Sequence, residues 1–286
     1  MIAAFCKDDA LLASFAQEPA AAGEATIWWL GQSGFLVRSA GKRLLFDPYL
    51  SDSLTRKYEG SDKPHVRMTE RVIAPDRLAG IDVVTSSHNH TDHLDAETLL
   101  ALRAANPEMR FVFPEANRAF IRERLGAAMG ESVGLDERET ETLGGFRIQA
   151  VASAHNEVAR DAQGRCHYLG YVIRGEGWTI YHSGDTLLYP GLAETLRGLG
   201  PIDLALLPIN GNRPERRVAG NLDGREAVQL AREIGARWVI PCHYEMFEFN
   251  TADPADLFVP ECERLAQPYR VLRAGESWRL PGRTPA

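Results

Sequence analysis

Four short apolar runs in this chain each lead into a histidine or an aspartate. They are IDVVTSSH (81–88), GFRIQAVASAH (145–155), GWTIYHSGD (177–185) and WVIPCHY (238–244). Short apolar runs of this kind, rich in β-branched residues, read as buried strands. A buried strand holds a side chain at its edge rigidly. The chain must therefore fold so that several strand ends carry chemistry.

The first run opens into the densest patch, SSHNHTDHLD (86–95), with His88, His90, Asp92 and His93 between the strand and a helix start at Asp95. In a loop, side chains at i and i+2 converge on one ion while the next pair turns toward a second. Imidazole and carboxylate are the usual ligands of zinc, iron and manganese. A polar loop capping a helix would account for one histidine. It does not account for three histidines and an aspartate at this spacing. Four ligands do not complete two sites, and the strand ends offer His155, Asp185 and His243 as the rest.

Residues 1–25 read as a helical or loose arm and residues 26–286 as one domain. TIWWLGQSGFLVRSA (26–40) and KRLLFDPYL (42–50) read as successive strands. DAETLLALRAANP (95–107) reads as a helix capped by Asp95, FVFP as a strand, and EANRAFIRERLGAAM as a second helix. HYLGYVIRG (167–175) and IDLALLPIN (202–210) add strands. A capping box from Asp223 to Glu226 starts a helix that Gly235 ends. YRVLRAGESWRL reads as a terminal hairpin. The pattern predicts an α/β protein, a sandwich of two mixed sheets with helices on the outer faces. A doubly wound nucleotide-binding fold fits less well, because no glycine fingerprint joins a strand to a helix.

The formal net charge of the 286-residue chain is -7. That balance argues against a grip on long phosphate backbones, so no nucleic-acid partner is expected. No window approaches the roughly 18 apolar residues of a membrane span. Cys6, Cys166, Cys242 and Cys262 are scattered and form no CxxC pair, which suits reduced thiols. A cytoplasmic protein without a membrane partner is the expectation, and a homo-oligomer is a common state for such an enzyme.

HNHTDH, then His155, then SGDT with Asp185, then PCHY with His243, resembles the metallo-β-lactamase superfamily. The resemblance implies an αββα sandwich with two divalent metal ions at one edge, zinc or manganese first and iron next. It implies that His88, His90 and His155 bind one metal, that Asp92, His93 and His243 bind the other, and that Asp185 bridges. Five neutral imidazoles and two carboxylates leave a net positive centre even with a bridging hydroxide. Such a centre suits an anionic substrate or a developing oxyanion. Asp92 is the expected orienter and proton acceptor for that hydroxide.

YHSGDTLLYPGLAE, LLPINGN, VIPCHYEMFEFNTADP and FDPYL resemble the L-ascorbate-6-phosphate lactonase-like branch. That resemblance implies hydrolysis of a lactone or ester of a small, anionic, sugar-derived substrate. Asp47 would hold a ligand histidine, and His182 would lie beside the Ser-Gly-Asp turn. Arg213, Arg216 and Arg217 are candidates for an anion clamp, with Asn210, Asn212, Asn221 and Tyr244 beside the substrate. The chain is shorter than those lactonases, and Asn89 replaces their usual acidic residue between the first two histidines. HNHxDH also resembles bacterial relatives of N-acyl-phosphatidylethanolamine phospholipase D, so a phosphodiesterase is the alternative. A non-catalytic metal-binding or scaffold protein is the alternative of another class.

Overall fold

The structure is a computed structural model, and it describes residues 1–16, 23–130 and 132–283. In chain order the elements are α1 (Asp8–Ala16), β1 (Ala25–Gly31), β2 (Gly34–Ser39), β3 (Lys42–Phe46), α2 (Ser53–Lys57), β4 (Val83–Thr85), α3 (Ala96–Ala105), β5 (Arg110–Pro114) and α4 (Arg118–Leu125). There follow β6 (Ser132–Leu135), β7 (Thr140–Leu143), β8 (Phe146–Ala152), β9 (Leu169–Gly175), β10 (Trp178–His182), α5 (Leu192–Gly198), β11 (Leu204–Pro208), α6 (Gly224–Glu233), β12 (Trp238–Cys242), α7 (Phe258–Leu265) and β13 (Ser277–Leu280).

The strands form two sheets, β13-β1-β2-β3-β4-β5-β6 and β12-β11-β10-β9-β8-β7. Both are mixed. β3 through β6 pair in parallel, as do β10, β11 and β12, and the remaining pairs are antiparallel. β1, β2, β9, β10 and β11 carry long apolar runs because both of their faces are covered. Ile27, Phe35, Leu45, Phe111, Ile148, Ile180 and Leu206 are fully buried in one continuous core. The expected two-sheet sandwich with flanking helices is the fold observed.

Local signals place the helices. Asp95 accepts from the Thr98 amide at the start of α3. Asp223 and Glu226 complete a capping box at the start of α6. That helix buries Ala227, Val228, Leu230 and Ala231 and packs on β11, β12 and α7. In the arm, Leu11 and Phe15 of α1 reach the core, and the Trp28 indole donates to Ser14 Oγ at 2.9 Å. Residues 17–22 of the arm lie outside the described residues.

The terminal hairpin does not form. Tyr269 bridges to Val239 on β12, whereas Ser277–Leu280 pairs with β1 in the other sheet. The chain crosses between sheets, so the two halves of that segment find partners outside it. The segment 26–40 also folds back on itself as β1 and β2, paired from Thr26↔Arg38 to Gly31↔Gly34.

Candidate metal centre

Strand direction brings the candidate ligands together. β8 and β10 both lie antiparallel to β9, so they point the same way, and β10, β11 and β12 are parallel. His155, Asp185 and His243 follow the carboxyl ends of β8, β10 and β12. His88 follows β4 in the facing sheet, and Asp47 follows the parallel strand β3. Crevices at the carboxyl ends of such strands are where α/β proteins bind ligands.

The donors converge. Ligand atoms of His88, His90 and His155 lie within 4.8 Å of one another, as do those of Asp92, His93 and His243. Asp185 reaches both groups. Its Oδ1 lies 3.3 Å from His93 Nε2 and 2.9 Å from His243 Nε2, and its Oδ2 lies 3.6 Å from His155 Nε2. His90 Nδ1 faces His155 Nε2 at 3.2 Å, and His93 Nε2 faces His243 Nε2 at 3.3 Å. Imidazole nitrogens meeting in this way leave lone pairs opposed unless a cation or proton lies between them. His88 Nε2 is buried without a hydrogen-bond partner, which a folded protein seldom tolerates in a group without a task. A set of five imidazoles and two carboxylates suits borderline divalent cations. These residues therefore fit such a cation.

The ligands' outer nitrogens are held. His93 Nδ1 lies 2.7 Å from Asp47 Oδ2. Asp47 is fully buried, and its Oδ1 accepts from the Ser87 amide at 3.0 Å and from Thr85 Oγ1 at 3.1 Å. Ser87 Oγ donates to Asp47 Oδ2 and lies 3.0 Å from His88 Nδ1. His155 Nδ1 donates to the Gly220 carbonyl at 2.9 Å. Each such contact fixes a tautomer that leaves Nε2 free to ligate. His182 does not reach the donors. Its Nε2 donates to the Ser33 carbonyl, its Nδ1 accepts from the Gly184 amide, and its ring stacks on Phe46. It braces the turn that presents Asp185.

Charge follows the geometry. Burial drives His88 well below the ordinary imidazole range, and the neighbouring histidines add to the effect. Burial would lower His93 too, but the Asp185 and Asp92 carboxylates beside it raise it well above that range. Burial pushes the Asp185 carboxyl up, and the His243 and His93 charges pull it further down, well below its usual value.

Over the donors lies a cavity of about 570 Å³, within the span of small-molecule sites. His90, Asp92, His155, Asp185 and His243 line its floor. Lys57, Lys63, Arg124 and Arg217 line its walls, with Tyr58, His65, Phe120 and Phe247. Of the side chains expected beside the substrate, the structure brings Arg217 and Asn221 here. Arg213 and Asn212 line a separate hollow with Asp223, Asp253 and Asp256. Asn210 is buried and bonded to Asn221 and Asn250. Arg216 is spent on the Asn210 and Thr251 carbonyls, because the turn over Pro214–Arg216 swings it onto the neighbouring loop. Tyr244 is buried, stacks on Trp29 at a centroid distance of 4.2 Å, and donates to the Leu272 carbonyl.

The cavity also holds residues that sequence reasoning passed over. His65 stacks on Tyr58 at 4.3 Å and lines the wall. Arg124 donates to the Asn89 and Leu94 carbonyls, gripping the donor loop near both ends, and lies over the Phe120 ring. Both come from segments without a local motif.

A family profile described as a beta-lactamase superfamily domain matches residues 42–244, which includes every donor named above. The chain belongs to the beta-lactamase superfamily. Within it, the chain is 31% identical over 254 residues to a UPF0173 metal-dependent hydrolase of Opitutus terrae, covering 87% of this chain and 97% of that one. It is 30% identical over 258 residues to a UPF0173 metal-dependent hydrolase of Pelotomaculum thermopropionicum, covering 89% and 99%. In fold it is similar to Igni18, a metallo hydrolase of Ignicoccus hospitalis, with a TM-score of 0.66, 21% identity and coverage of 91% and 100%.

Proposed function

We propose that this protein is a dinuclear metal-dependent hydrolase that opens an ester or lactone of a small anionic substrate. One observation carries the reading. The cavity above the converged donors has four cationic side chains in its walls, and the only carboxylates lining it among the described residues, Asp92 and Asp185, belong to the donor set. An anion entering there meets a positively charged wall.

His88, His90 and His155 would hold one cation, Asp92, His93 and His243 the other, and Asp185 both. When bound, the pair supplies a water of lowered pKa and polarises the attacked carbonyl. The chain's own residues do the rest. Asp92, with a side chain 16% exposed at the cavity floor, takes the proton of the attacking water. Water oxygen adds to the acyl carbon, the ring or ester C–O bond breaks, and the leaving alkoxide takes up a proton. Among the described residues Arg124 and Lys57 form no ion pair with a carboxylate, so their charge is available to the substrate, Arg124 while its guanidinium holds the Asn89 and Leu94 carbonyls. Arg217 now pairs with Asp62 at 2.6 Å. That pair is exposed, so exchanging Asp62 for a substrate anion costs little.

Support for a sugar-derived lactone comes from the segment resemblance to the L-ascorbate-6-phosphate lactonases. The test is hydrolysis of L-ascorbate 6-phosphate by manganese- or zinc-loaded protein, with Asp185→Ala as control. Neutral lactones and phosphodiesters complete the panel. Turnover that the control abolishes supports the reading. Turnover of neutral lactones alone would overturn the anionic substrate, and turnover of phosphodiesters alone would replace the lactonase.

A further inference from the structure

Gln32 stands in the tight turn between β1 and β2, and no metal-ligand pattern points to it. Its side chain is fully buried. Its backbone sits at φ +52°, a left-handed conformation that a glutamine seldom adopts and that clusters at functional sites. The amide Nε2 donates to Asp92 Oδ2 at 2.9 Å and lies 3.1 Å from His243 Nδ1. A carboxylate only accepts, so the nitrogen end of the amide must face Asp92. The other end, Oε1, is buried and has no hydrogen-bond partner.

The Gln32 backbone reaches the same place. Its carbonyl accepts from the His243 amide at 3.2 Å and from the Trp29 indole at 3.0 Å. His243 is itself at φ +64°. One residue of the first sheet thus anchors the backbone of a ligand carried by the second sheet, and the carboxylate of a ligand carried by the loop after β4. Among the described residues, no other side chain hydrogen-bonds to Asp92.

We propose that Gln32 is the positioning residue of the Asp92–His93–His243 group. It sets the rotamer of Asp92 and, through its carbonyl, the backbone approach of His243, and among the described residues it hydrogen-bonds to none of His88, His90 and His155. The inference rests on the reading of this cluster as a two-metal centre. A carboxylate on a loop at a cavity floor has rotamer freedom that must be lost before it can ligate. An amide already bonded to it removes that freedom in advance, as outer partners of ligands do in metal sites. The strained turn and the unpartnered Oε1 are the structural signs that this placement is imposed by the surrounding fold.

The test uses the full chain, loaded with manganese or with zinc. Metal per chain and the affinity of each site are measured by chelator competition for wild type and Gln32→Met. Methionine keeps the length and burial and removes the donor. The expected result is one metal held as in wild type and the other weakened roughly 10- to 100-fold. With saturating metal, kcat falls and KM holds. Melting of the metal-free protein changes little. Gln32→Asn, which tolerates the left-handed backbone but lacks the reach to Asp92, weakens the same metal and stands in if the methionine variant does not fold. Two metals held at wild-type affinity in the variant would overturn the proposal. So would equal weakening of both metals alongside a large drop in melting temperature, which would make Gln32 a purely structural residue. Wild type that binds no metal would instead overturn the two-metal reading, and this inference with it.

Discussion

Asp47→Asn is the most direct probe of how the centre is held. The aspartate serves four donors: His93 Nδ1 at 2.7 Å, the Ser87 amide at 3.0 Å, Thr85 Oγ1 at 3.1 Å and Ser87 Oγ. Asparagine retains one acceptor oxygen, enough for the Ser87 amide and Thr85. Its amide nitrogen would then confront Ser87 Oγ and His93. The buried, charge-assisted bond to His93 is lost, a change of about 1.5–3 kcal/mol. His93 is no longer held in the tautomer that leaves Nε2 free. Loss of such a partner weakens metal binding about 10- to 100-fold, or roughly 1.4–2.8 kcal/mol, in agreement with the hydrogen-bond figure. Asparagine is the right replacement because Asp47 lies at φ +35°, and asparagine tolerates that region where alanine would add strain. The assay is metal content per chain with chelator competition, beside thermal melting of the metal-free protein. Affinity within about twofold of wild type, in a folded variant, would refute the idea that Asp47 sets His93 for ligation.

His90 is exposed at the cavity floor, so His90→Ala should cost the fold within about 0.5 kcal/mol while removing one metal per chain; two retained metals would remove His90 from the donor set. Arg217→Gln should raise KM for an anionic substrate about tenfold, near 1.4 kcal/mol, with kcat and neutral substrates unaffected; an equal effect on both substrates would place Arg217 outside the site. Asp203 is buried, takes ion pairs from Arg237 and Arg283, and accepts from the Thr179 amide. Burial pushes its carboxyl up, but the bonds from Arg283 and Arg237 outweigh that and hold it below the usual range. Asp203→Ala should destabilise by about 2–3 kcal/mol, below the roughly 3–5 of a fully buried pair because both arginines are partly exposed. A folded pKa below the unfolded one gives stability that is complete above about pH 4 and lost as pH falls further. The gap between wild type and Asp203→Asn in denaturant melts should therefore hold from neutrality to about pH 4 and close below it; a gap independent of pH would refute the linkage.

The donor set was legible because its signals are local. A β-branched apolar run specifies a buried strand, and the residue just past it sits on a rigid edge whatever the rest of the chain does. Hence His88, His155, Asp185 and His243 stood out one by one, and the spacing of His90, Asp92 and His93 supplied the others. The capping box at Asp223 was readable for the same reason, since its partner lies three residues away.

What surrounds the donors was settled by tertiary structure. Gln32 and Asp92 are sixty positions apart, and no local pattern links a hairpin turn to a metal loop. Arg213 and Arg216 sit near Arg217 in the chain, yet a single turn of backbone sends them to different surfaces. Residues 269–280 carry strand-like composition throughout, but pairing partners are chosen by which edge is open. Val239 and β1 offered theirs from opposite sheets. Local propensity chooses an element, whereas the wall of a cavity is made wherever distant elements meet, and only the packed chain brings those elements together.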